Sequence, residues 1–308
     1  MSGSFDVYRK YSSDLLANWT LDPSTGFNSS RVNNGEMRNV GLELTLNYDW
    51  LKKGDWEFTT SFTTAYNKNE VMKVDFVPTT ATDMLTSPSS NYLKGDALKS
   101  VYAYRYAGLT EEGNPSVYNE NGEVVSGVIV DNINALVNKG QLTPKWNGAL
   151  SLNLRWKELE LYTKFVYYAG HSLRNDVTGL YNTLSDVDAY VHEDVVKRWT
   201  PENTDTDVPA MCKGSIAPGA ANQWKYADIH VLSASFIKCR TIGLSYRLPE
   251  EWIKSLKLKS VSLRAQVENP FYWANNHEDI DPEAFTANTG TRTEAQMPTY
   301  TFGLNINF

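Results

Sequence analysis

The stretch VGLELTLNYDWLKKGDWEFTTSFTTAYN, residues 40–67, decides the fold. In its first half Leu42, Leu44, Leu46, Tyr48 and Trp50 alternate with Glu43, Thr45, Asn47 and Asp49. Successive side chains of a strand point to opposite faces, so this pattern gives one apolar and one polar face. After Lys52, Lys53 and Gly54 the same period returns in Trp56, Phe58, Phe62 and Tyr66. Two amphipathic strands joined by so short a turn form an antiparallel hairpin.

Working outward, the same alternation recurs. Leu150, Leu152, Leu154 and Trp156 lead through Lys157 and Glu158 to Leu159, Leu161, Phe165 and Tyr167. Ile242, Leu244, Tyr246 and Leu248 carry one apolar face, and Val261, Leu263, Ala265 and Val267 another. The last residues, PTYTFGLNINF, alternate Tyr300, Phe302, Leu304, Ile306 and Phe308 with polar residues or glycine. With a less regular segment near 4–11, the reading predicts eight strands: 4–11, 40–51, 54–67, 146–157, 159–169, 234–248, 259–269 and 298–308. Short helical turns are expected only in the connectors PEEWIKSLKL and VHEDVVKRW.

The connections alternate in length. Those after the second, fourth and sixth strands are turns of a few to about ten residues; the others run to about 28 (12–39), 78 (68–145), 64 (170–233) and 28 (270–297). All turns therefore fall at one end of the sheet and all long loops at the other. Structureless loops that long count against a soluble domain, whereas an outer-membrane barrel has short periplasmic turns and long outward loops. Ten residues at about 3.3 Å, tilted about 40°, span roughly 25 Å, the height of a barrel's apolar band. Tyr48, Trp50, Trp56 and Trp156, near the short turns, read as the periplasmic aromatic girdle.

Composition narrows the function. Thirty-six acidic against 29 basic side chains leave a net charge of −7, which argues against a nucleic-acid partner. No apolar run exceeds the five residues Phe165 to Ala169, so a membrane helix is ruled out. The start, MSGSFDVYRKY, lacks the charged and apolar regions of a secretion signal, so either the chain stays inside or a preceding segment is missing. Two cysteines, Cys212 and Cys239, are too few for a disulfide framework and read as free thiols.

No catalytic constellation emerges, and the expectation is a non-enzyme without cofactor or metal. His171, His192, His230 and His277 show no H-E-x-x-H spacing, and neither G-x-S-x-G nor a phosphate-binding glycine loop occurs. His192-Glu193-Asp194 and His277-Glu278-Asp279 read as solvated charge before metal ligands. Glu202, Asn203, Asp205 and Asp207 resemble calcium-loop oxygens but lack the glycine and final glutamate of an EF-hand, and loop scaffolding is the plainer reading. EDIDPE, 278–283, carries the same ambiguity, with Pro282 favouring a rigid turn. Tyr92, Tyr102, Tyr104, Tyr106, Trp224, Tyr272 and Trp273, in the long loops, are candidates for stacking on a substrate or lining a partner interface, against ordinary loop packing.

Several blocks carry a family resemblance: DLL at 14–16, GEMRNVGLELTLNYDWL from Gly35 to Leu51, TPKWNGALSLNLRWK, RWTPENTDTDVP from Arg198 to Pro209, CRTIGLSYRLPEEW, VENPF, and the closing TYTFGLNINF. In that order they resemble the SusC-like (RagA-type) TonB-dependent outer-membrane transporters. The resemblance implies that residues 1–308 are one unit, the C-terminal part of a 22-stranded transmembrane β-barrel, with signal peptide, TonB box and plug outside it. Tyr300, Phe302, Leu304, Ile306 and Phe308 then correspond to the signal read by the barrel-assembly machinery. It also implies a Gram-negative outer-membrane location in contact with lipid, a SusD-like surface lipoprotein as partner, TonB as energy source, and an oligosaccharide or peptide as substrate. At position 239 the family usually has an apolar residue, so no cysteine role carries over.

Two rival architectures make distinct expectations. A self-contained eight-stranded barrel requires strand 4–11 to pair with 298–308. A soluble carbohydrate-binding β-sandwich requires the apolar faces to pack on each other.

Overall fold

The computed structural model describes residues 1–27, 29–75, 78–87, 91–177, 193–210, 220–286 and 290–308. Its main body is one antiparallel sheet of eight strands paired in chain order: β1 (Ser2–Thr20), β2 (Ser29–Lys53), β3 (Trp56–Lys73), β4 (Trp146–Trp156), β5 (Leu159–Ala169), β6 (Phe236–Arg247), β7 (Ser260–Ala274) and β8 (Thr299–Asn307). This is an all-β, antiparallel barrel-wall segment. No helix among the described residues is long and apolar enough to cross a membrane.

All eight expected strands are present, but the first three reach farther than expected. β1, β2 and β3 have 19, 25 and 18 residues, so the connection expected over 12–39 shrinks to residues 21–28. Residues 29–39 pair with β1 and, from Glu36 onward, with β3, as in Met37 with Ser12 and Arg38 with Glu70. These parts extend beyond the length needed to span a bilayer, and their apolar residues, Leu15, Leu16, Trp19, Val32 and Met37, keep no period of two.

The turns follow the sequence. Lys53 pairs with Trp56 across Gly54 and Asp55, and Gly54 takes φ +59°, the left-handed conformation that a two-residue hairpin turn needs. Between β4 and β5, Lys157 takes that conformation at φ 51° without being glycine. Between β6 and β7, Glu250–Ile253 and Lys254–Leu256 form the expected short helical turns.

Register carries one face across the whole sheet. Phe5 opposes Leu44, Leu46 opposes Phe62, Phe62 opposes Leu150, and Leu150 opposes Phe165. Leu161 opposes Leu244, Leu244 opposes Ala265, and Ala265 opposes Phe302. This apolar face is uncovered: Phe5, Leu161, Leu244, Leu263, Phe302 and Leu304 are all exposed. The sandwich expectation is not met, because no second sheet packs on it among the described residues. Nor is the small closed barrel: β1 pairs with β2 and β8 with β7, and β1 and β8 do not pair with each other.

The long connections are not structureless. The described residues between β3 and β4 form a helix, Ala81–Thr86, a two-stranded ladder of Ser100–Tyr104 with Leu136–Gln141, and a three-stranded sheet of Tyr106–Leu109, Pro115–Tyr118 and Val124–Ser126. Ala81, Met84, Leu85, Tyr102, Tyr104, Val117, Val130 and Ala135 form their core. In the next loop Ser172–Arg174 pairs with Val231–Ser233. Leu173, Leu232 and Ala234 pack with Ile280 and Phe285 of the last loop. The loops therefore carry cores of their own at the end opposite the turns.

Candidate functional site

The outer face of the wall is built from the aromatic residues inward. Trp56 opposes Trp156, the rings stacked with centroids 5.7 Å apart at 28°. Ten residues along the same two strands, Tyr66 opposes Trp146 with centroids 4.7 Å apart. Between these pairs lie Phe58, Thr60, Phe62 and Thr64 on β3 and Leu154, Leu152, Leu150 and Gly148 on β4. At about 3.3 Å per residue and a tilt of about 40°, the two pairs are separated by roughly 25 Å along a barrel axis. That is the separation of the two interfacial belts of a membrane barrel.

Tyr48 and Trp50 stand near the turn-side aromatic pair, placed there by a bulge. The β2–β3 register shifts between Asp49 and Leu51, so Trp50 is an extra residue. Its ring lies 4.5 Å from Tyr48, and its Nε1 donates to Thr60 Oγ1 at 2.9 Å. Phe271 and Trp273, with centroids 4.9 Å apart, continue the loop-side belt on β7. Trp273 opposes Ile237 and is exposed on the outer face. Sequence reasoning placed it in a loop because the apolar alternation breaks at Asn269 and Pro270, where β6 and β7 are both bulged. It also missed Trp146 and Tyr66 as a second belt, although their ten-residue spacing from Trp156 and Trp56 was the available signal. On β8, Tyr300, Phe302, Leu304 and Ile306 all share the outer face, opposite Val267, Ala265, Leu263 and Val261, and Phe308 follows the end of the strand.

The inner face is polar and cross-linked. Glu57 pairs with Arg155, and Asn153 Nδ2 donates to Glu160 Oε1 at 2.6 Å. Asn47, Asp49, Ser61, Ser151, Asn153, Tyr162 and Lys164 line a continuous depression. Arg264 lies 5.5 Å from the centre of the Tyr162 ring.

A device not read from the sequence recurs three times in the wall. Tyr8, Tyr167 and Tyr162 each oppose a glycine, Gly41, Gly148 and Gly243 respectively. Each ring lies across its glycine, where a Cβ would collide with it. Each hydroxyl then reaches a polar side chain on the third strand: Tyr8 donates to Asn67 Oδ1 at 3.2 Å, Tyr167 meets Thr64 Oγ1, and Tyr162 donates to Gln266 Oε1. The glycines are required because only a missing side chain leaves room for a ring to cross the strand.

The loop candidates divide by burial. Tyr102, Tyr104 and Trp224 are buried within loop cores, so their rings pack on protein, which is the ordinary reading weighed for them. Tyr104 donates its hydroxyl to Val130 O at 2.6 Å, and Trp224 Nε1 donates to Asp207 O at 3.1 Å. Tyr92 and Tyr106 are half-buried. Burial raises the hydroxyl pKa of Tyr92, Tyr102, Tyr104 and Tyr106 above the ordinary tyrosine value.

Arg174 ties the first two large loops together. It is buried, donates from Nη2 to Tyr102 O at 2.6 Å, and stacks over Tyr226 at 4.9 Å. Burial lowers its pKa to about 10. Asp228 completes the junction by accepting from Tyr106 N at 3.0 Å and from Lys139 Nζ at 3.3 Å.

The acidic motifs are engaged with protein partners. Asn203 Nδ2 donates to the carbonyls of Lys197 and Arg198 at 3.1 Å. In EDIDPE, Asp281 and Glu283 accept ion pairs from Lys238. His277 lies 3.4 Å from Glu278 at the surface. Cys239 is a free, buried cysteine opposite Phe165 and Phe271. His192 and Cys212 lie outside the described residues.

Comparison with known proteins agrees with this geometry. The chain is 26% identical over 99% of its length to TonB-dependent receptor P3 of Formosa agariphila. It is also 26% identical over its whole length to TonB-dependent receptor SusC of Bacteroides thetaiotaomicron. The chain matches SusC-like TonB-dependent receptors from end to end. It spans about a third of the length of these curated relatives, 32% and 30% respectively. The solved structure of the RagAB peptide transporter superposes on 99% of the chain with a TM-score of 0.79 at 22% identity, and the chain covers 33% of it. That likeness bears on the fold. No protein-family model matches the chain.

Proposed function

We propose that this chain forms part of the barrel wall of an energised outer-membrane importer, with lipid against its apolar face and the transport lumen against its polar face. One observation carries the reading: a continuous eight-stranded sheet whose apolar face is uncovered and bracketed by two aromatic belts, in a chain similar throughout to TonB-dependent receptors. In water such a face would aggregate; in a bilayer it is the expected surface. The free edges of β1 and β8 carry unpaired N–H and C=O groups, each costing several kcal/mol in lipid. They call for further strands, in keeping with relatives about three times longer.

In this reading the protein imports a nutrient, an oligosaccharide or a peptide, by binding and gated passage and without making or breaking a bond. A SusD-like surface lipoprotein sits over the loop end, TonB supplies energy through other parts of the protein, and the barrel-assembly machinery recognises β8. The packed loops support the lipoprotein pairing by offering a folded platform. The test is detergent extraction of the full-length protein from outer membranes, followed by mass spectrometry. Co-purification of a SusD-like lipoprotein is expected; a stable receptor without one on every growth substrate overturns the pairing.

A further inference from the structure

The last long loop does not stand free above the wall. Residues 280–283 fold down onto the inner face, where Lys238 waits between Val166 and Tyr272 on neighbouring strands. Lys238 is only 2% exposed, and its Nζ lies 3.1 Å from Asp281 Oδ2 and 3.0 Å from Glu283 Oε2. Arg240 pairs with Glu283 and donates from Nη1 to Asn269 Oδ1 at 3.3 Å. The two cations are brought together by the bulges: Arg240 is the extra residue of β6, and Asn269 adopts φ 51° opposite it. Bulges re-aim side chains at functional places in sheets.

The loop is shaped to meet them. Asn276 and Ile280 lock each other, Asn276 Nδ2 donating to Ile280 O at 3.0 Å and Ile280 N donating to Asn276 Oδ1 at 2.9 Å. Glu283 N donates to Asp281 Oδ1 at 3.0 Å, which holds the Asp281 carboxylate across Pro282. Ile280 and Phe285 then pack on Leu173, Leu232 and Ala234 of the preceding loop.

We propose that residues 276–286 are a strap latched to the inner wall by the Lys238–Arg240 pair, and that its release opens the loop-side end of the polar face. A buried ion pair suits a two-state latch. Closed, each charge is neutralised; with one partner removed, the other is left buried and unpaired, which favours opening. The assignment of the inner face as the lumen rests on the function proposed above. The latch is tested by hydrogen exchange and not by transport, so the two can fail separately.

The experiment is peptide-resolved hydrogen exchange on the full-length receptor in nanodiscs, comparing wild type, Lys238→Met, and Asp281→Asn with Glu283→Gln. Expected is exchange over 276–286 at least about a hundredfold faster in both variants, with β5 and β6 unchanged. Unchanged exchange in 276–286 with an intact wall overturns the latch. So does loss of β5 and β6 protection in step with the loop, or failure of both variants to assemble, since the cluster would then be a structural part of the wall.

Discussion

Trp56 and Trp156 stack across β3 and β4 at one end of the wall, and ten residues along the same strands Tyr66 meets Trp146 at the other. In the proposed barrel, the interval between these pairs sets which side chains meet the middle of the bilayer. Strand alternation divides the wall into an apolar face and a polar face that substitutions can tell apart.

On β8, Leu304 lies on the outer face opposite Leu263, and Asn305 lies on the inner face opposite Ser262. Leu304→Arg is expected to lower the amount of folded receptor in outer-membrane fractions, because an arginine near the bilayer midplane costs about 2–4 kcal/mol. Asn305→Arg should be mild. Deleting Phe308 should also reduce insertion if β8 carries the assembly signal. Equal levels for Leu304→Arg and Asn305→Arg would contradict the lipid-facing assignment.

The tyrosine crossings make a second contrast. At Gly243 a methyl group would run into the Tyr162 ring, whereas at Gly303 the nearest atom, Arg264 Cβ, is 3.7 Å away. Gly243→Ala should therefore destabilise the barrel by about 1–3 kcal/mol, the range for overpacking, while Gly303→Ala stays near wild type. The midpoint of heat-modifiable migration of the full-length receptor on gels measures both.

His171 sits at the base of the second long loop, just past Ala169, and burial lowers its pKa from 6.5 to about 4. Between those values the unfolded loop binds the proton more readily than the folded one, so folding stability rises with pH across that window. The loop should therefore loosen as pH falls from about 6.5 to 4, with no further contribution from this group below. Hydrogen exchange of residues 170–175 at pH 7 and pH 4.5, corrected for the intrinsic rate, should show the loss, and His171→Gln should flatten it.

Arg174 bonds the Tyr102 carbonyl and covers the Tyr226 ring at once, a task that needs a planar guanidinium. Arg174→Lys should not substitute for it. Limited proteolysis on intact cells is expected to cut the first two long loops faster in this variant, with receptor levels in the membrane unchanged.

The eight strands of the main sheet, its apolar and polar faces, and the positions of the short turns were legible in the residues alone. Each rests on a period of two or on a turn of fixed chemistry, and those are local properties that survive without knowledge of any partner. Residues 29–39 are not legible as strand because Val32 and Met37 are too far apart to set a period of two, and pairing with β1, joined by β3 from Glu36 onward, holds them. The aromatic loop residues show the same limit. Tyr102 and Trp224 are alike in sequence to rings that stack on ligands, and only packing between segments tens of residues apart buries them. Tertiary structure also decided that Lys238 meets Asp281 and Glu283, 43 residues or more away along the chain, and that β1 and β8 do not pair with each other. Such contacts depend on where the chain returns in space, which no local pattern of residues encodes.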